Sequence, residues 1–363
     1  MAKNKKVKKD EYYHIDKLLA CKANYSIVYG ERSNGKSYSA KDFALKHFIE
    51  TGMKFIYLRR FDADISRSLT AQWLSDSSVR ELFGDTKYLK AHAGNIYVSD
   101  ITDDKEIKEP DVAVGYIRSL NNAQRYSSGA YLDADVIIFE EFVSLKGNYL
   151  PYEFELFMHF VSTVARRRNI TVILIGNSLS RLCPYFREFQ LTHVLEQKEG
   201  SIDEYTIEAE DGTQTLIAVE FAEHSTVKTS SMFFGTNAEM TNQGKWHTRP
   251  MPHLPTPLEE WSVGYNFFIK YYQFQYSVKY LTNPKGDYVL YVEEYDKQLL
   301  PEDRVISIES SINSLWTKGF IPLANDERNL FNLMLRGKLF YESNLTGTEF
   351  NEVWNRFHQT EIK

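Results

Sequence analysis

The sequence predicts an α/β fold, a parallel sheet with helices on its faces, followed by a smaller α+β domain. Three observations carry this expectation. Short apolar runs alternate with amphipathic stretches between residue 25 and about 180, the pattern of strands buried on both faces. The 363 residues, 43% hydrophobic and 25% charged, suffice for one large domain or two of ordinary size. The stretch Thr248 to Pro257 carries Pro250, Pro252, Pro255 and Pro257, which forbids a regular helix or a central strand and marks a linker.

Taken in order, Tyr25-Ser26-Ile27-Val28-Tyr29 reads as the first strand and runs into a glycine-rich turn. A helix starts near Ser37, with Phe43, Ala44, His47 and Phe48 recurring at helical spacing. Phe55 to Leu58, Val112 to Ile117 and Asp135 to Phe139 are the next strands. Pro151 opens a helix through about Arg167, because proline suits a first turn. Thr171 to Ile175 is a fifth strand, and from about residue 199 strand-like and polar pieces follow. Beyond the prolines, Phe267 to Leu281 and Asp287 to Glu293 read as paired strands around Asn283-Pro284-Lys285-Gly286, with the first candidate strand running from Phe267 to Tyr276. Helical segments near 326–336 and 347–359 close the chain. The division expected is 1–198 for the first domain with a basic N-terminal tail, 199–257 for a linker or lid, and 258–363 for the second domain.

Composition excludes several classes. No long uncharged apolar run argues for a membrane span. The basic start, Met1 to Lys9, has no apolar core behind it and is not a secretory signal; it reads as a solvated tail or as a contact for nucleic acid or a partner. The two cysteines, Cys21 and Cys183, stand at no metal-ligand spacing, which points to a reducing cytosol without disulfides or structural zinc. A net charge of −6 rules out a globally basic nucleic-acid binder, so any DNA contact must be made by local basic loops.

The chemistry is concentrated in short motifs. Gly30-Glu31-Arg32-Ser33-Asn34-Gly35-Lys36-Ser37 fits the Walker A pattern without a gap. Its glycines let backbone N–H groups close around the phosphates of ATP, at the positive end of the helix that follows. Lys36 is expected to reach the β and γ phosphates and Ser37 to bind Mg²⁺. The strand Val136-Ile137-Ile138-Phe139 ends in Glu140-Glu141, which resembles a Walker B strand. Glu140 is expected to assist the metal, and Glu141 to polarise the attacking water. Asn177, ending the next strand, suits a sensor of the γ phosphate or a loop cap. Arg166-Arg167-Arg168 closes the intervening helix, either as favourable charge at a helix C-terminus or as an arginine finger.

These stretches, in this order, resemble the DNA-packaging ATPases (encapsidation proteins) of small podophages of the phi-29 type. The resemblance rests on the P-loop with Lys36-Ser37-Tyr38, on Phe55-Ile56-Tyr57-Leu58-Arg59-Arg60 and on Phe139-Glu140-Glu141-Phe142. It continues through Thr163-Val164-Ala165-Arg166 and from Asn177-Ser178 to Pro184-Tyr185-Phe186, and it covers most of residues 20 to 190.

The resemblance implies a P-loop NTPase of the ASCE, FtsK/HerA-like type, followed by an RNase H-like domain without its active site. It implies a homo-oligomeric ring in the host cytoplasm, seated transiently at the portal of a procapsid, that drives double-stranded DNA inward on ATP hydrolysis. Arg166 falls on the position of a trans-acting finger, with Arg168 as the fallback and Arg125 as a second basic residue acting across the interface. Ser144-Leu145-Lys146-Gly147-Asn148-Tyr149 matches a pore-facing DNA loop, in which Lys146 and Asn148 can touch phosphate without reading sequence. The candidate strand Phe267 to Tyr276 holds no carboxylate, so nuclease activity is not expected. The second domain and the basic tail are candidate docking elements for the portal, the DNA or a packaging RNA. Two other readings compete: a P-loop ATPase or nucleotide switch that is no motor, and a terminase with an active nuclease. Hydrolysis stimulated by duplex DNA separates the motor from the switch.

Overall fold

The computed structural model describes residues 12–65, 77–100, 112–223, 250–307, 317–318 and 336–361, apart from 85, 127, 128, 130, 145, 146, 178, 179, 181, 195, 209, 210, 273, 301 and 302. The chain divides between residues 245 and 246 into two compact units.

The strands of the first unit are β1 (Tyr25–Tyr29), β2 (Lys54–Arg59), β3 (Lys87–His92), β4 (Asn95–Asp100), β5 (Val112–Ser119), β6 (Ala134–Glu140), β7 (Thr171–Gly176), β8 (Ile202–Glu208) and β9 (Gln214–Phe221). Its helices are α1 (Asp16–Ala20), α2 (Lys36–Thr51), α3 (Ser77–Phe83), α4 (Ala123–Tyr126), α5 (Glu153–Ala165) and α6 (Pro184–Glu188). Among the described residues the strands form one sheet in the order β3-β4-β5-β2-β6-β7-β1-β9-β8. From β5 to β9 in that order all neighbours are parallel.

The expected all-parallel sheet is therefore corrected to a mixed one. Antiparallel pairings of β3 with β4, β4 with β5 and β8 with β9 extend both edges. Short turns, such as Ala93-Gly94 between β3 and β4, permit only antiparallel neighbours, whereas parallel neighbours need a crossover of a dozen residues or more. Residues 202–221, which the sequence places in the linker or lid, contribute β8 and β9. Their burial alternates along β8, so they lack the continuous apolar run that marks a central strand.

Burial explains the central strands. Every residue of β1 is buried, and side chains alternate between the two faces. Tyr25, Ile27 and Tyr29 join Phe139, Phe157, Phe160, Tyr185 and Phe189 on one face. Val28, Val136, Ile138, Ile173 and Ile175 meet Ile15, Leu18, Ala40, Ala44 and Leu45 on the other. The helix α5 thus covers one side and α1 and α2 the other. Phe157 anchors the α5 layer: it is fully buried, stacks on Phe139 at 5.6 Å and meets Tyr185 edge-on at 5.4 Å. Phe157→Ala is expected to lower unfolding stability by about 3–5 kcal/mol. Urea unfolding measures it, and an unchanged midpoint would refute that anchoring role.

The second unit is built from β10 (Ser262–Tyr271), β11 (Phe274–Thr282), β12 (Tyr288–Glu294), β13 (Val305–Ser307), β14 (Thr317–Lys318), β15 (Leu339–Tyr341) and the helix α7 (Asn344–Glu361). The sheet order is β14-β13-β10-β11-β12-β15. β10, β11 and β12 form an antiparallel meander, and β13, β14 and β15 add in parallel. The turn between β11 and β12 falls at Asn283 to Asp287, as the sequence predicts.

The candidate strand Phe267 to Tyr276 is corrected. The chain reverses at Tyr272, in the left-handed region at φ 52°, and Tyr271 pairs with Phe274 across the new hairpin. An unbroken aromatic run carries no glycine or proline to announce that reversal. The proline-rich stretch packs on this same sheet: His253 Nδ1 lies 2.9 Å from the Tyr341 carbonyl oxygen. Phe350 of α7 is fully buried and meets Tyr276 edge-on at 5.6 Å. The helical segment expected near 326–336 lies, except for Arg336, outside the described residues. No helix among the described residues is long and apolar enough to cross a membrane.

Candidate functional site

Strand register assembles the site. Tyr29 on β1 pairs with Gly176 on β7, Glu140 on β6 pairs with Ile175 on β7, and Leu58 on β2 pairs with Phe139. Gly30, Asn177, Glu141 and Arg59 therefore emerge side by side at the carboxyl ends of the strands, where α/β sheets form their ligand crevices. β7 lies between the strand that carries the glycine loop and the strand that carries the paired acids.

The loop from Gly30 to Gly35 closes back on itself. Gly30 has φ 148°, and a Cβ there would stand 3.1 Å from the Ala222 carbonyl oxygen, so only glycine fits between β1 and the chain after β9. Lys36 opens α2, is 2% exposed, and its ammonium fills the centre of the loop. It donates to the Gly30 oxygen at 3.1 Å, the Glu31 oxygen at 2.5 Å and Asn34 Oδ1 at 3.0 Å. Burial pulls this ammonium down to about 7, against the opposing charges of Glu31 and Glu140; nearby Arg32 adds to the fall. Glu31 and Asn34 are buried, while Arg32 and Ser33 face solvent.

The outer side of the loop is strapped by a segment the sequence left unmarked. The Tyr13 backbone N–H donates to the Asn34 oxygen at 2.9 Å, the Ile15 N–H donates to Ser39 Oγ at 2.8 Å, and Tyr13 Oη donates to Glu220 Oε2 at 2.6 Å.

The paired acids differ in environment. Glu140 is 8% exposed and accepts from Tyr57 Oη and from Arg59 Nη1 at 3.2 Å. Lys41 Nζ stands 3.9 Å away. Burial pushes the Glu140 carboxyl up, but Lys41, hydrogen bonds from Ser37 and Tyr57, and Arg59 outweigh it and hold the group below its ordinary value. Ser37 and Glu140 thus bring hard oxygen donors together beside the loop, a set that fits a small divalent cation such as Mg²⁺. Glu141 projects toward solvent with half of its side chain exposed, and Arg59 Nη2 holds its Oε2 at 2.7 Å. Its backbone lies in the left-handed region at φ 58°, tethered by its N–H to the Ile175 oxygen at 2.8 Å. Arg59 was missed as a site residue. The signal was an arginine ending a buried strand, where an unpaired charge is too costly to be tolerated.

The arginines after α5 separate into two kinds. Arg168 donates to the carbonyl oxygens of Tyr131, Leu132, Ala134 and Val164 at 2.7 to 3.1 Å, which makes it a brace between α5 and the start of β6. Arg166 is exposed, has φ 40° and donates only Nη2, to the Gly129 oxygen at 3.1 Å, among the bonds described. Arg125, on α4, is also exposed and lies four residues before Gly129 in sequence. Arg166, between the end of α5 and the start of β7, sits at the amino end of β6, whereas α4 with Arg125 follows the turn 120–122 after the carboxyl end of β5, where the Asn121 N–H donates to the Arg60 oxygen at 3.0 Å. From Ala134 to Glu140 the strand spans about 20 Å, at about 3.3 Å per residue, so the structure does not bring Arg166 to Lys36 or Glu141 of the same chain.

Lys146 lies outside the described residues. Asn148 is exposed, and its backbone N–H donates to Ser144 Oγ at 3.0 Å. Among the described residues no cluster of three or more histidine, cysteine, aspartate or glutamate side chains could hold a metal ion.

Comparison with known proteins adds three findings. The family model of the podovirus DNA encapsidation protein (Gp16) matches residues 7–243. The DNA packaging protein of Bacillus phage phi29 is 29% identical over 206 residues, which cover 56% of this chain and 57% of that one. This chain thus matches little more than half the length of the relative. Among solved structures, the bacteriophage Phi-29 viral genome packaging motor assembly aligns with TM-score 0.56 at 18% identity over 95% of this chain and 99% of that one. The Phi-28 gp11 DNA packaging motor aligns with TM-score 0.52 at 17% identity over 96% and 98%. At these identities the structural likeness speaks to the fold.

Proposed function

Because the chain belongs to the podovirus DNA encapsidation protein family, we propose that it is an ATP-driven motor that translocates double-stranded viral DNA into a procapsid, with ATP sites shared between ring subunits. The observation that carries this reading is the alignment of Gly30, Asn177 and Glu141 along one row of strand ends, with β7 between β1 and β6. That order suits an ASCE-type ATPase, in which the catalytic acid stands one strand away from the loop. The loop residues Gly30 to Ser37 bind the triphosphate. Lys36 turns from the loop carbonyls to the β and γ oxygens, and Ser37 and Glu140 would hold Mg²⁺, which would offset phosphate charge when bound with ATP. Glu141 takes the proton of the attacking water, and Asn177 reads the γ phosphate.

Water attacks the γ phosphorus in line as the bond to the bridging oxygen breaks, which yields ADP and inorganic phosphate. Charge developing on the γ oxygens is met by Lys36 and, from the neighbouring subunit, by Arg166, with Arg125 as a second basic residue acting across the interface. Lys146 and Asn148 are the residues proposed to contact duplex phosphates. The partners of this reading are DNA and the portal of the procapsid, with a packaging RNA as the alternative docking partner, met in the host cytoplasm.

The second unit supports an RNase H-like fold, since its antiparallel meander β10-β11-β12 is extended in parallel by β13 and β14 at the β10 edge. Cleavage is not proposed: β10 carries no carboxylate, and Glu293 is tied to Lys279 at 2.5 Å. Docking is its proposed role.

The test is ATP hydrolysis against protein concentration, with and without linear duplex DNA. Specific activity that climbs with both supports the shared-site motor. Activity that stays flat and ignores DNA, even with procapsids supplied, refutes it.

A further inference from the structure

We propose that Arg60 is a positioning residue that makes the strand end at Glu141 and the loop reaching to Leu150 move as one body. The inference rests on the proposed hydrolytic role of Glu141 and adds a residue to it. Arg60 follows β2 and is 6% exposed. Its three kinds of donor reach three different points. Nε donates to Glu153 Oε2 at 2.8 Å, Nη1 to the Glu141 oxygen at 2.9 Å and Nη2 to the Phe142 oxygen at 2.6 Å. The guanidinium also lies over the Tyr149 ring at 4.9 Å.

Glu153, 3% exposed, completes the circuit from the other end of the loop. It accepts from the Leu150 N–H at 2.7 Å and from Tyr185 Oη at 3.0 Å. Tyr149 Oη in turn accepts the Ser144 N–H at 3.1 Å, and the Asn148 N–H is held by Ser144 Oγ. Residues 141, 142, 149 and 150 are therefore gathered on one buried ion pair, and Ser144 and Asn148 are tied to them through Tyr149.

Glu141 needs that support. Left-handed backbone is costly for a residue with a Cβ, and such a residue stays there only where its surroundings over-determine it. The two carbonyl oxygens that Arg60 grips are those of Glu141 itself and of its successor. A guanidinium presents a planar fork able to hold two carbonyls and a carboxylate together, whereas an ammonium is a point charge on a flexible stem. Charge alone at position 60 therefore does not reproduce the arrangement. A force on the loop at Asn148 reaches the carboxylate of Glu141 through this circuit, and release of the circuit uncouples the two.

The test uses R60K, which keeps the charge opposite Glu153, and E153Q, which keeps the shape of the acid. Hydrogen exchange is read first on the full chain. R60K is expected to speed exchange of the 141–150 amides at least tenfold, with α2 and β1 unchanged, and E153Q to do so more weakly. Nucleotide affinity, measured with a fluorescent ATP analogue, stays within threefold of wild type. Turnover falls at least tenfold in kcat with little change in KM, and any stimulation by duplex DNA is lost. Unaltered exchange in 141–150 in both variants overturns the proposal whether or not the protein is a motor. So does faster exchange accompanied by wild-type turnover. A wild type that hydrolyses ATP without responding to DNA counts against the motor alone, since exchange and kcat still decide the role of Arg60.

Discussion

Replacing Glu141 by glutamine is expected to cut ATP turnover by about 10²- to 10⁴-fold, the usual contribution of a positioned acid–base group, while nucleotide affinity stays close to wild type. The separation follows from position. Glu141 stands at the end of β6 beyond the neighbour strand β7, and its described side-chain contact is with Arg59 at 2.7 Å rather than with the glycine loop. Glutamine has nearly the same shape and still accepts from Arg59, so the backbone at φ 58° keeps its tethers. What disappears is the carboxylate that receives a proton. Single-turnover hydrolysis beside equilibrium binding of a fluorescent ATP analogue checks this. If E141Q turns over within threefold of wild type, Glu141 is not the base, and the buried Glu140 is the next acid to examine.

The second large effect is expected at Arg166. An arginine finger supplied by a neighbour is worth about 10³- to 10⁵-fold in rate, and R166A should lose that factor in the assembled motor. Arg166 stands about 20 Å along β6 from Glu140, by the strand rise of about 3.3 Å per residue. A role in hydrolysis must then be exerted on the next subunit. Mixing supplies the discriminating measurement. R166A alone and K36A alone are each expected to be inactive in the assembled state, but a mixture should recover part of the activity. Some interfaces in that mixture combine an intact Lys36 with an intact Arg166 from the adjacent chain. A mixture as inactive as its components sinks the shared site. An R166A variant with full activity in assembled motors removes the finger from this residue, and Arg125, which is also exposed, becomes the candidate. Arg168 is a poor substitute, because its guanidinium braces four carbonyl oxygens of its own chain.

Most of the candidate site was legible because its signals are local. Gly30 and Gly35 adopt φ 148° and φ 101°, conformations that glycine alone visits freely, so their spacing betrays the loop. The central strands β1, β6 and β7 are buried along nearly their whole length and must be written as unbroken apolar runs. Helices α2 and α5 carry the crossovers between such strands and show as periodic patterns between them. In each case the residue and the structure it dictates lie within a turn or a strand of each other.

The determinants that stayed hidden are contacts between distant residues. Arg59 reaches Glu140 and Glu141 across 81 and 82 residues, and Arg60 reaches Glu153 across 93. Nothing in the stretch Leu58-Arg59-Arg60-Phe61 states which carboxylates it will face. Tyr13 meets Glu220 across 207 residues, and the strap over the glycine loop exists only once β9 has paired with β1. The edge strands hid for a related reason. β3 and β8 lie at the rims, leave most of their side chains half-buried or exposed and are held by turns into hairpins. The sequence by itself thus determined the glycine loop, the buried strands and the acids at the end of β6, because steric and hydrophobic demands act over a few residues. Only the tertiary structure decided the order of the strands, the tethers on Glu141 and the separation of Arg166 from its own loop. Those depend on which surfaces meet after collapse, and a buried charge finds its partner only there.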